Sequence, residues 1–542
     1  MQAQASPRWV LVTLLGIAVG SIALPGCGSV EDARDGGDDS DGNGSGGGPD
    51  GGAVDTFAIT TELTRLDARV PEVAAIVVSV ERAADFAEAV VVEASGLPPG
   101  VTADSITIAP GASSGTLRID TARGEPATLA TVTLVGQAAD LRSTVDFELF
   151  LVGPAGSLDG TFGTDGRVDL PAALDQPSAQ TLLALPDGRF VVTGGSGGRL
   201  FAAGFLADGT GDLGFGEGGI TIVDFGRAGI ASVSGGQGAL QGETIVLAGS
   251  GDGNVNGDLV LARVGLDGAL DPSFAGGGAA VYPIGGQDVG GSHIAIDSEG
   301  RIHVVGNRLS GAAAVLVARF TPNGLLDPSF AGDGVAIASL GQNGNIGTGV
   351  ATGPGGRVLA TGIPCGDLGC YGVTLLAIGD AGAPDLGFDQ DGQLVLDALG
   401  GPGRISVLGD GDLLVPMGQG IGEDQFAAVH RRNPDGALDP GFGEGGEVAL
   451  SVPAAGMVDL VVDGDDAIAL GDTADGLLLT RLDVATGALD PSFGADGVAM
   501  HALSGQVIAA SRLALRDDYR LIVLIKRIEG GNVVPIVLQF WY

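Results

Sequence analysis

The segment best suited to metal chemistry is residues 252–258, which read DGNVNGD. Side-chain oxygens stand at alternate positions ahead of a glycine, a spacing that lets a turn wrap around one hard cation such as Ca²⁺. An EF-hand is excluded because Arg263 occupies the twelfth position, where that loop requires a glutamate. We predict a plain polar hairpin loop here. Calcium binding by Asp252, Asn254, Asn256 and Asp258 is the alternative, and no other cofactor is expected.

The serines and histidines predict no catalytic group. Residues 194–198 (GGSGG) match G-x-S-x-G, but that nucleophile turn must be followed by a helix, and none is predicted there. The histidines, scattered through the chain without metal-ligand spacing, are expected to lie in strands: His293, His303, His430 and His501. If Ser298 and Glu299 form a hairpin tip, His303 pairs with Ile294.

The amino terminus predicts export. Residues 1–27 combine Arg8 with the apolar run 9–19, which is too short to span a bilayer. This segment ends in LPGC and resembles the lipobox of bacterial lipoproteins, in which Cys27 is lipidated and becomes the first mature residue. Gly28, rather than aspartate, follows Cys27. The resemblance implies a lipid anchor, in the outer rather than the inner membrane, facing the periplasm or the cell surface. An ordinary secretion signal is the alternative.

The two remaining cysteines also fit an exported protein. Cys365 and Cys370 are an even pair close together in one loop. In an oxidising compartment they can form a disulfide that stiffens the loop. A metal site is not expected, because two thiols with no histidine nearby supply too few ligands.

The charge balance argues against nucleic-acid partners. The net charge is -40, and Lys526 is the only lysine. Binding to a phosphate backbone requires many basic side chains that displace counterions. We therefore expect no nucleic-acid partner, and contact with a membrane only through the lipid anchor.

Composition divides residues 28–153, which follow the predicted signal, into two segments. Residues 28–55 contain mainly Gly, Asp and Ser, which cannot form a packed core, so a disordered tether is predicted. Residues 56–153 contain short apolar runs separated by turn signals such as GLPPG at 96–100, a pattern typical of a β-sandwich. The segment resembles the immunoglobulin-like modules of bacterial surface proteins.

A motif of the form L-D-x-x-F-G-x-x-G recurs seven times in residues 154–542. Its phenylalanines are 51 to 59 residues apart: Phe162, Phe215, Phe274, Phe330, Phe388, Phe442 and Phe493. A period of this length indicates a supersecondary unit that stacks on copies of itself. We expect the aspartate to accept backbone N–H groups within a turn, and the phenylalanine to pack between neighbouring sheets.

Each repeat contains four predicted strands, which in the third unit are residues 279–283, 293–297, 301–306 and 314–320. Hairpin turns rich in Asp and Gly join the second and third strands of the units. The sequence therefore predicts an all-β protein, in which a seven-bladed β-propeller of four-stranded antiparallel blades follows a small immunoglobulin-like sandwich. We expect each sheet to come wholly from one unit, with strand exchange between the first and last blades as the alternative.

The motifs resemble the Delta-60 repeat family, β-propeller-like bacterial lipoproteins of the myxobacterial type. The LDPSF segments at 270–274, 326–330 and 489–493 and the hairpins carry the resemblance, which covers about 390 residues. It implies a propeller fold and no established activity.

This organisation favours a lipid-anchored envelope protein, which is not expected to be an enzyme. Its propeller is expected to be a non-catalytic binding or scaffolding platform for a protein or a glycan. We expect it to be a monomer. The alternative is a propeller lyase or glycosidase with a site in the central channel. That alternative requires carboxylates, histidines or arginines that do not repeat and that converge on the axis from the inner strands.

Overall fold

The computed structural model describes residues 57–542, apart from short internal segments. These segments are 227–229, 253–256, 285–288, 309–313, 341–343, 367–368, 371, 397–402, 420–425, 451, 453–455, 474–475, 504–505 and 517. The predicted signal, Cys27 and the predicted tether lie outside the described residues. Among the described residues, no helix is long and apolar enough to cross a membrane.

Two sheets that share one core form the first domain. Its strands are β1 (Phe57–Thr60), β2 (Arg65–Arg69), β3 (Val73–Arg82), β4 (Val90–Ser95), β5 (Thr102–Ala103), β6 (Ile106–Ile108), β7 (Ser114–Asp120), β8 (Leu129–Ala138) and β9 (Leu141–Val152). One sheet has the order β1-β3-β7-β5 and the other β2-β9-β8-β4-β6, with β2 parallel to β9. Alternate residues point inward, as with Ile76 and Val78 on β3, which are fully buried. We call this domain the sandwich.

The rest of the described chain, here called the repeat domain (residues 154–542), contains seven further sheets. Sheet I consists of β11 (Ser178–Ala184), β12 (Phe190–Ser196), β13 (Arg199–Phe205) and β14 (Ile220–Val223); sheet II of β15 (Ser232–Gln241), β16 (Thr244–Asp252), β17 (Gly257–Gly265) and β18 (Ala279–Tyr282); and sheet III of β19 (Val289–Ile296), β20 (Ile302–Arg308), β21 (Ala314–Phe320) and β22 (Val335–Ala338). Short 3-10 turns lie at Phe274–Gly276 and Pro354–Gly356.

The remaining four sheets follow the same antiparallel order. Sheet IV consists of β23 (Gly344–Thr352), β24 (Val358–Gly366), β26 (Val373–Ile378) and β27 (Gln393–Leu396), with β25 (Gly369–Cys370) beside β24; sheet V of β28 (Ser406–Val407), β29 (Leu413–Gln419), β30 (Phe426–Arg432) and β31 (Glu447–Leu450); sheet VI of β32 (Gly456–Asp463), β33 (Asp466–Thr473), β34 (Gly476–Asp483) and β35 (Val498–Ala502); and sheet VII of β36 (Gln506–Arg516), β37 (Arg520–Glu529), β38 (Asn532–Trp541) and β10 (Arg167–Asp169).

The division of strands among sheets differs from the one predicted. The strand that follows a motif was expected to open a new sheet, but β18 pairs with β17, the strand before the motif. In sheets I to VI the motif lies between the third and fourth strands, where it reverses the chain and returns it beside the strand it has just left; in sheet VII the motif leads into β10. The expectation that each sheet comes wholly from one unit is therefore wrong.

The repeat domain closes on itself. The first strands of sheets I to VII contact one another in sequence, and β36 of sheet VII contacts β11 of sheet I. Sheet VII takes its fourth strand from the start of the domain, with Val168 of β10 paired with Val537 of β38. Strand exchange between the first and last sheets, left open by the sequence, is thus what the structure shows. Closure leaves no first or last sheet without a neighbour.

The motif phenylalanines lie at the seams between neighbouring sheets. All seven are at most 1 % exposed. Phe274 of sheet II packs against Gly324 in a turn of sheet III, where a Cβ atom would lie 2.5 Å from the ring and φ is +79°. At all seven seams, the N–H of the residue after the phenylalanine donates to a carbonyl of the next sheet's turn, over 2.8 to 3.0 Å. The final seam, from Gly494 to Ala155, matches the others.

The motif aspartates carry a second set of contacts. In every motif, one carboxylate oxygen accepts the N–H of the residue two positions later, and the other oxygen faces an arginine. The pairs are Asp159–Arg520, Asp212–Arg189, Asp271–Arg263, Asp327–Arg319, Asp385–Arg357, Asp439–Arg431 and Asp490–Arg481. Arg319 also donates to the carbonyl of Asp380 in the next sheet at 2.6 Å. The motif therefore joins sheets, and it is not itself a candidate active site.

The sandwich and the repeat domain are in direct contact. Trp541, 1 % exposed, packs on Phe150 and Val152, and a Cβ at Gly153 would lie 2.3 Å from its ring. Arg69 donates to the carbonyls of Gly153 and Tyr542, both at 2.7 Å. The end of β38 thereby anchors the last strand of the sandwich.

Candidate functional site

The predicted calcium loop is only partly described. Asp252 pairs with Gly257, and Gly251 pairs with Asp258, at the adjoining ends of β16 and β17. Residues paired in this way share a face of the sheet, so Asp252 and Asp258 project from opposite faces. Asn254 and Asn256 lie outside the described residues. The described residues include no group of three or more His, Cys, Asp or Glu suited to a metal ion. Calcium binding remains a hypothesis.

The cysteine pair lies at a turn of sheet IV. The antiparallel register of β24 and β25 places Cys365 directly opposite Cys370. Backbones of directly opposite residues lie within the range of separations that a disulfide spans. The disulfide remains a prediction.

The reactive side chains considered from sequence are not brought together. Ser196 ends β12 and donates to the carbonyl of Asp175 at 3.0 Å, and strand β13 rather than a helix follows it. His303 faces Asp297 at 3.0 Å, His430 faces Glu447 at 2.9 Å, and His501 faces the carbonyl of Gly156 at 2.6 Å.

The predicted pairing of His303 with Ile294 is wrong. His303 pairs with Ala295, and His293 pairs with Val305. The hairpin tip contains three residues rather than two, since Asp297 and Arg301 close it and Gly300 adopts φ +76°.

A β-bulge recurs at one equivalent position in the first strands of the sheets, which are the inner strands, nearest the axis. In six of the seven first strands, the register shifts by one residue at this point; the described pairing of β28 in sheet V begins after it. The residue at this position lies four residues before the one that closes the first hairpin of its sheet. From sheet I to sheet VII these residues are Thr181, Gln237, His293, Gly349, Arg404, Asp459 and Arg512. We call this set the axial ring.

Hydrogen bonds show where axial-ring side chains lie. The hydroxyl of Thr181 accepts the N–H of Gly238, the residue after Gln237 in the next sheet, at 3.2 Å. The Asp459 carboxylate accepts the N–H of Leu513, the residue after Arg512, at 2.9 Å. These equivalent contacts place both side chains against the inner strand of the following sheet. The equivalent side chains therefore lie at the same place in their sheets, although their residue types differ.

Four axial-ring members act on one another electrostatically. Burial, together with the charges of Arg512 and Arg404, lowers the pKa of His293 to about 3. Sheet III, which holds His293, is not next to sheet V or sheet VII in the closed cycle. Charges from those sheets reach His293 across the centre of the ring rather than along a seam. The N–H of Arg404 also donates to the carbonyl of Val458 at 3.1 Å, and the N–H of Leu513 donates to Asp459, so the positions of Arg404, Asp459 and Arg512 are neighbours in the ring. These contacts and charges together indicate that the four residues face the axis.

Both oxygens of the acidic member of the axial ring accept a backbone hydrogen bond. Asp459 is 1 % exposed, and its two oxygens accept N–H groups of Leu460 at 3.0 Å and Leu513 at 2.9 Å. Burial raises the pKa of Asp459, while Arg512 and Arg404 oppose that shift. Burial lowers the pKa of Arg512, which Asp459 raises and Arg404 lowers further. The positive charges of Arg404 and Arg512 therefore lie close together beside the single carboxylate of Asp459.

The arginines retain unused donors. Arg512 donates to the carbonyl of Ser511 at 2.7 Å, and Arg404 is exposed. Within the described residues, the side chains of Arg404 and His293 make no hydrogen bond or ion pair. A guanidinium carries five N–H donors, so most donors of Arg404 and Arg512 have no acceptor within the described residues.

Sequence reasoning missed the axial ring because its members share no residue type. The available signal was the spacing of 53 to 56 residues between successive members. That spacing becomes visible only when repeats are aligned on their hairpins rather than on their motifs.

Comparison with known proteins agrees with this architecture. Residues 244–274 and 298–330 match the family model described as "Domain of unknown function (DUF5122) beta-propeller". Each matched segment ends at a motif phenylalanine, Phe274 or Phe330. The repeat domain is a β-propeller. No curated protein matches the sequence.

Solved structures resemble the chain only distantly. Prolyl oligopeptidase B from Galerina marginata is 10 % identical with a TM-score of 0.28, and the match covers 68 % of this chain and 55 % of that one. Titin domains I67–I69 are 8 % identical with a TM-score of 0.17, covering 60 % of this chain and 99 % of that one. This chain thus spans about half the length of the oligopeptidase. Scores this low support no inference about the propeller's activity.

Proposed function

We propose that this chain is a lipid-anchored envelope protein in which a seven-bladed β-propeller binds a ligand at its centre without transforming it. The observation that carries the proposal is the axial ring. Seven equivalent positions on a repeating frame hold side chains of different chemistry, four of which converge on the axis. Packing of the propeller does not require different residue types at these positions, whereas recognition of a ligand does.

The assignment of seven blades rests on closure. Seven sheets contact one another in a cycle, and all seven seams carry the same backbone hydrogen bond. The immunoglobulin-like assignment rests on the two sheets around a common core in residues 57–152. Lipidation at Cys27, export to the outer membrane and the Delta-60 relationship rest on the sequence alone. Labelling cells with radioactive palmitate tests the anchor, because the label should be lost from Cys27→Ser.

Binding fits the axial ring better than catalysis does. A general acid or base must exchange a proton near neutral pH. With a pKa of about 3, His293 is a poor proton acceptor, which leaves Asp459, with its raised pKa, as the one ring member suited to proton transfer. Arginine does not act as a proton donor at this pH. The enzyme alternative therefore lacks an acid–base pair, although the ring contains the carboxylate, histidine and arginine residues that this alternative requires.

The test is a search for a ligand with the full chain. A glycan array and a pull-down from envelope extract are each run with the wild type and with Arg404→Gln. We expect a glycan or protein that is retained by the wild type and lost by the variant. Ligands retained equally by both, or none in either assay, would refute binding at the axis. The cysteine pair is tested separately by mass spectrometry of peptides from unreduced protein.

A further inference from the structure

The net charge of the axial ring identifies the kind of ligand it suits. Arg404 and Arg512 contribute two positive charges, Asp459 at most one negative charge, and His293 is neutral at pH 7. The remaining members are Thr181, Gln237 and Gly349, which are uncharged. The ring therefore carries at least one net positive charge inside a protein whose total charge is -40.

The geometry of the donors points the same way. Asp459 accepts two backbone N–H groups and, within the described residues, forms no ion pair with either arginine. Arg404 makes no side-chain hydrogen bond within the described residues, and Arg512 makes one, to its neighbour's carbonyl. Guanidinium groups pair best with planar or tetrahedral oxyanions, to which they donate two N–H groups at once. Lys526, whose pKa is lowered by burial and by Arg512, adds another cation nearby.

We propose that the axial ring binds an oxyanion, the carboxylate or sulfate at the end of a short acidic glycan, with Arg404 and Arg512 as its donors. This proposal rests on the binding function proposed above and names the ligand class. A terminal group fits better than a long polyanion. A polymer of acidic sugars that extends over the protein would meet a strongly negative surface, whereas a chain end reaches the arginines with one charge.

Isothermal titration of the full chain tests the proposal, with glucuronic acid as probe, glucose as its neutral counterpart, and sodium sulfate as the inorganic anion. We expect glucuronic acid to bind more tightly than sulfate, and glucose not to bind. Arg404→Gln should weaken binding of glucuronic acid by roughly tenfold to a hundredfold, because charge-assisted hydrogen bonds are lost. Arg404 is exposed, so this variant should keep the wild-type melting temperature.

The matched control is Arg142→Gln, at an exposed arginine in β9 of the sandwich. It should leave affinity unchanged. Equal binding of glucose and glucuronic acid, or equal losses in Arg404→Gln and Arg142→Gln, would overturn the oxyanion site. Sulfate that binds as tightly as glucuronic acid would overturn the glycan assignment.

These outcomes are separable from failure of the proposed function. A neutral glycan or a protein captured in an Arg404-dependent way would keep axial binding and reject the oxyanion. Absence of any Arg404-dependent ligand in the array, the pull-down and the titration would reject both.

Discussion

The seam between sheets III and IV provides a direct test of how the propeller is held together. Phe330 is fully buried there, in a core that contains Val315 and Val317 from sheet III and Val358 and Ala360 from sheet IV. Its ring therefore fills space between two sheets rather than within one. Phe330→Ala removes that ring, and backbone hydrogen bonds across the seam limit how far the sheets can close the gap.

The expected loss is large for one substitution. Phe→Ala changes in a core cost about 3 to 5 kcal/mol, from lost burial and the remaining cavity. With about 2 cal/mol/K of unfolding entropy per residue, a domain of about 385 residues has an unfolding entropy near 0.8 kcal/mol/K. The melting temperature should therefore fall by about 4 to 6 °C.

Differential scanning calorimetry measures this change, and Leu325→Ala is the matched control. Leu325 lies in the same motif loop but is 60 % exposed, so its truncation should change stability by no more than about 0.5 kcal/mol. Melting temperatures that fall equally in the two variants, or that do not fall in Phe330→Ala, would refute the view that the phenylalanines join the sheets.

Three further variants test other parts of the structure. Arg319→Lys should lower the free energy of unfolding by about 1 to 3 kcal/mol, because a lysine cannot reproduce the contacts of Arg319 to Asp327, Ser329 and Asp380. The control is Arg142→Lys, at an exposed site in the sandwich, and equal melting temperatures in the two variants would contradict this prediction. The pKa of His293 is about 3 in the fold and near 6.5 when unfolded. The unfolded state therefore binds more protons between these values, and stability falls as pH drops below 6.5, by up to about 1.4 kcal/mol per pH unit. Urea denaturation from pH 7 to 4.5 should show a shallower decline in His293→Gln, and an unchanged decline would count against burial of a neutral ring. Trp541→Ala should weaken the contact between the sandwich and the propeller and expose the segment from Gly153 to Ser157 to protease; cleavage at the wild-type rate would show that Trp541 does not anchor it.

Features set by neighbouring residues could be predicted from sequence. The all-β class, the antiparallel sheets and the propeller fold are confirmed. These depend on alternating apolar residues and on turn signals, which act within a few positions along the chain. The motif could be located for the same reason, since Asp327, Phe330 and Gly334 lie within one loop.

The assignment of strands to sheets could not be predicted in this way. Residues 279–282 are an equally good strand whether they pair with β17 or with β19, and their sequence does not favour one neighbour. The choice is made by the motif turn, in which the pairing of Val264 with Leu270 begins the chain's return. A correct boundary between units therefore lies after the fourth strand and not at the motif.

The bulges also interrupt the alternation of side chains in the first strands. A bulge inserts one residue and moves every following side chain to the other face of its strand. In sheet III the register shifts between Gly291 and His293, so the alternation cannot be followed through that point. The pairing of His303 failed for a related reason, because one extra residue at the Asp297–Arg301 turn shifts the register by one.

The presence of Asp459 supports a role for the axial ring beyond folding. Burying a carboxylate is costly, and backbone hydrogen bonds and nearby arginines only offset that cost. The equivalent position in sheet I holds Thr181, which makes the same contact to the next strand without a charge. Sheet IV has Gly349 there, with no side chain at all. Since neutral residues satisfy the frame at this position, the charges at Asp459, Arg404 and Arg512 favour the binding function proposed above.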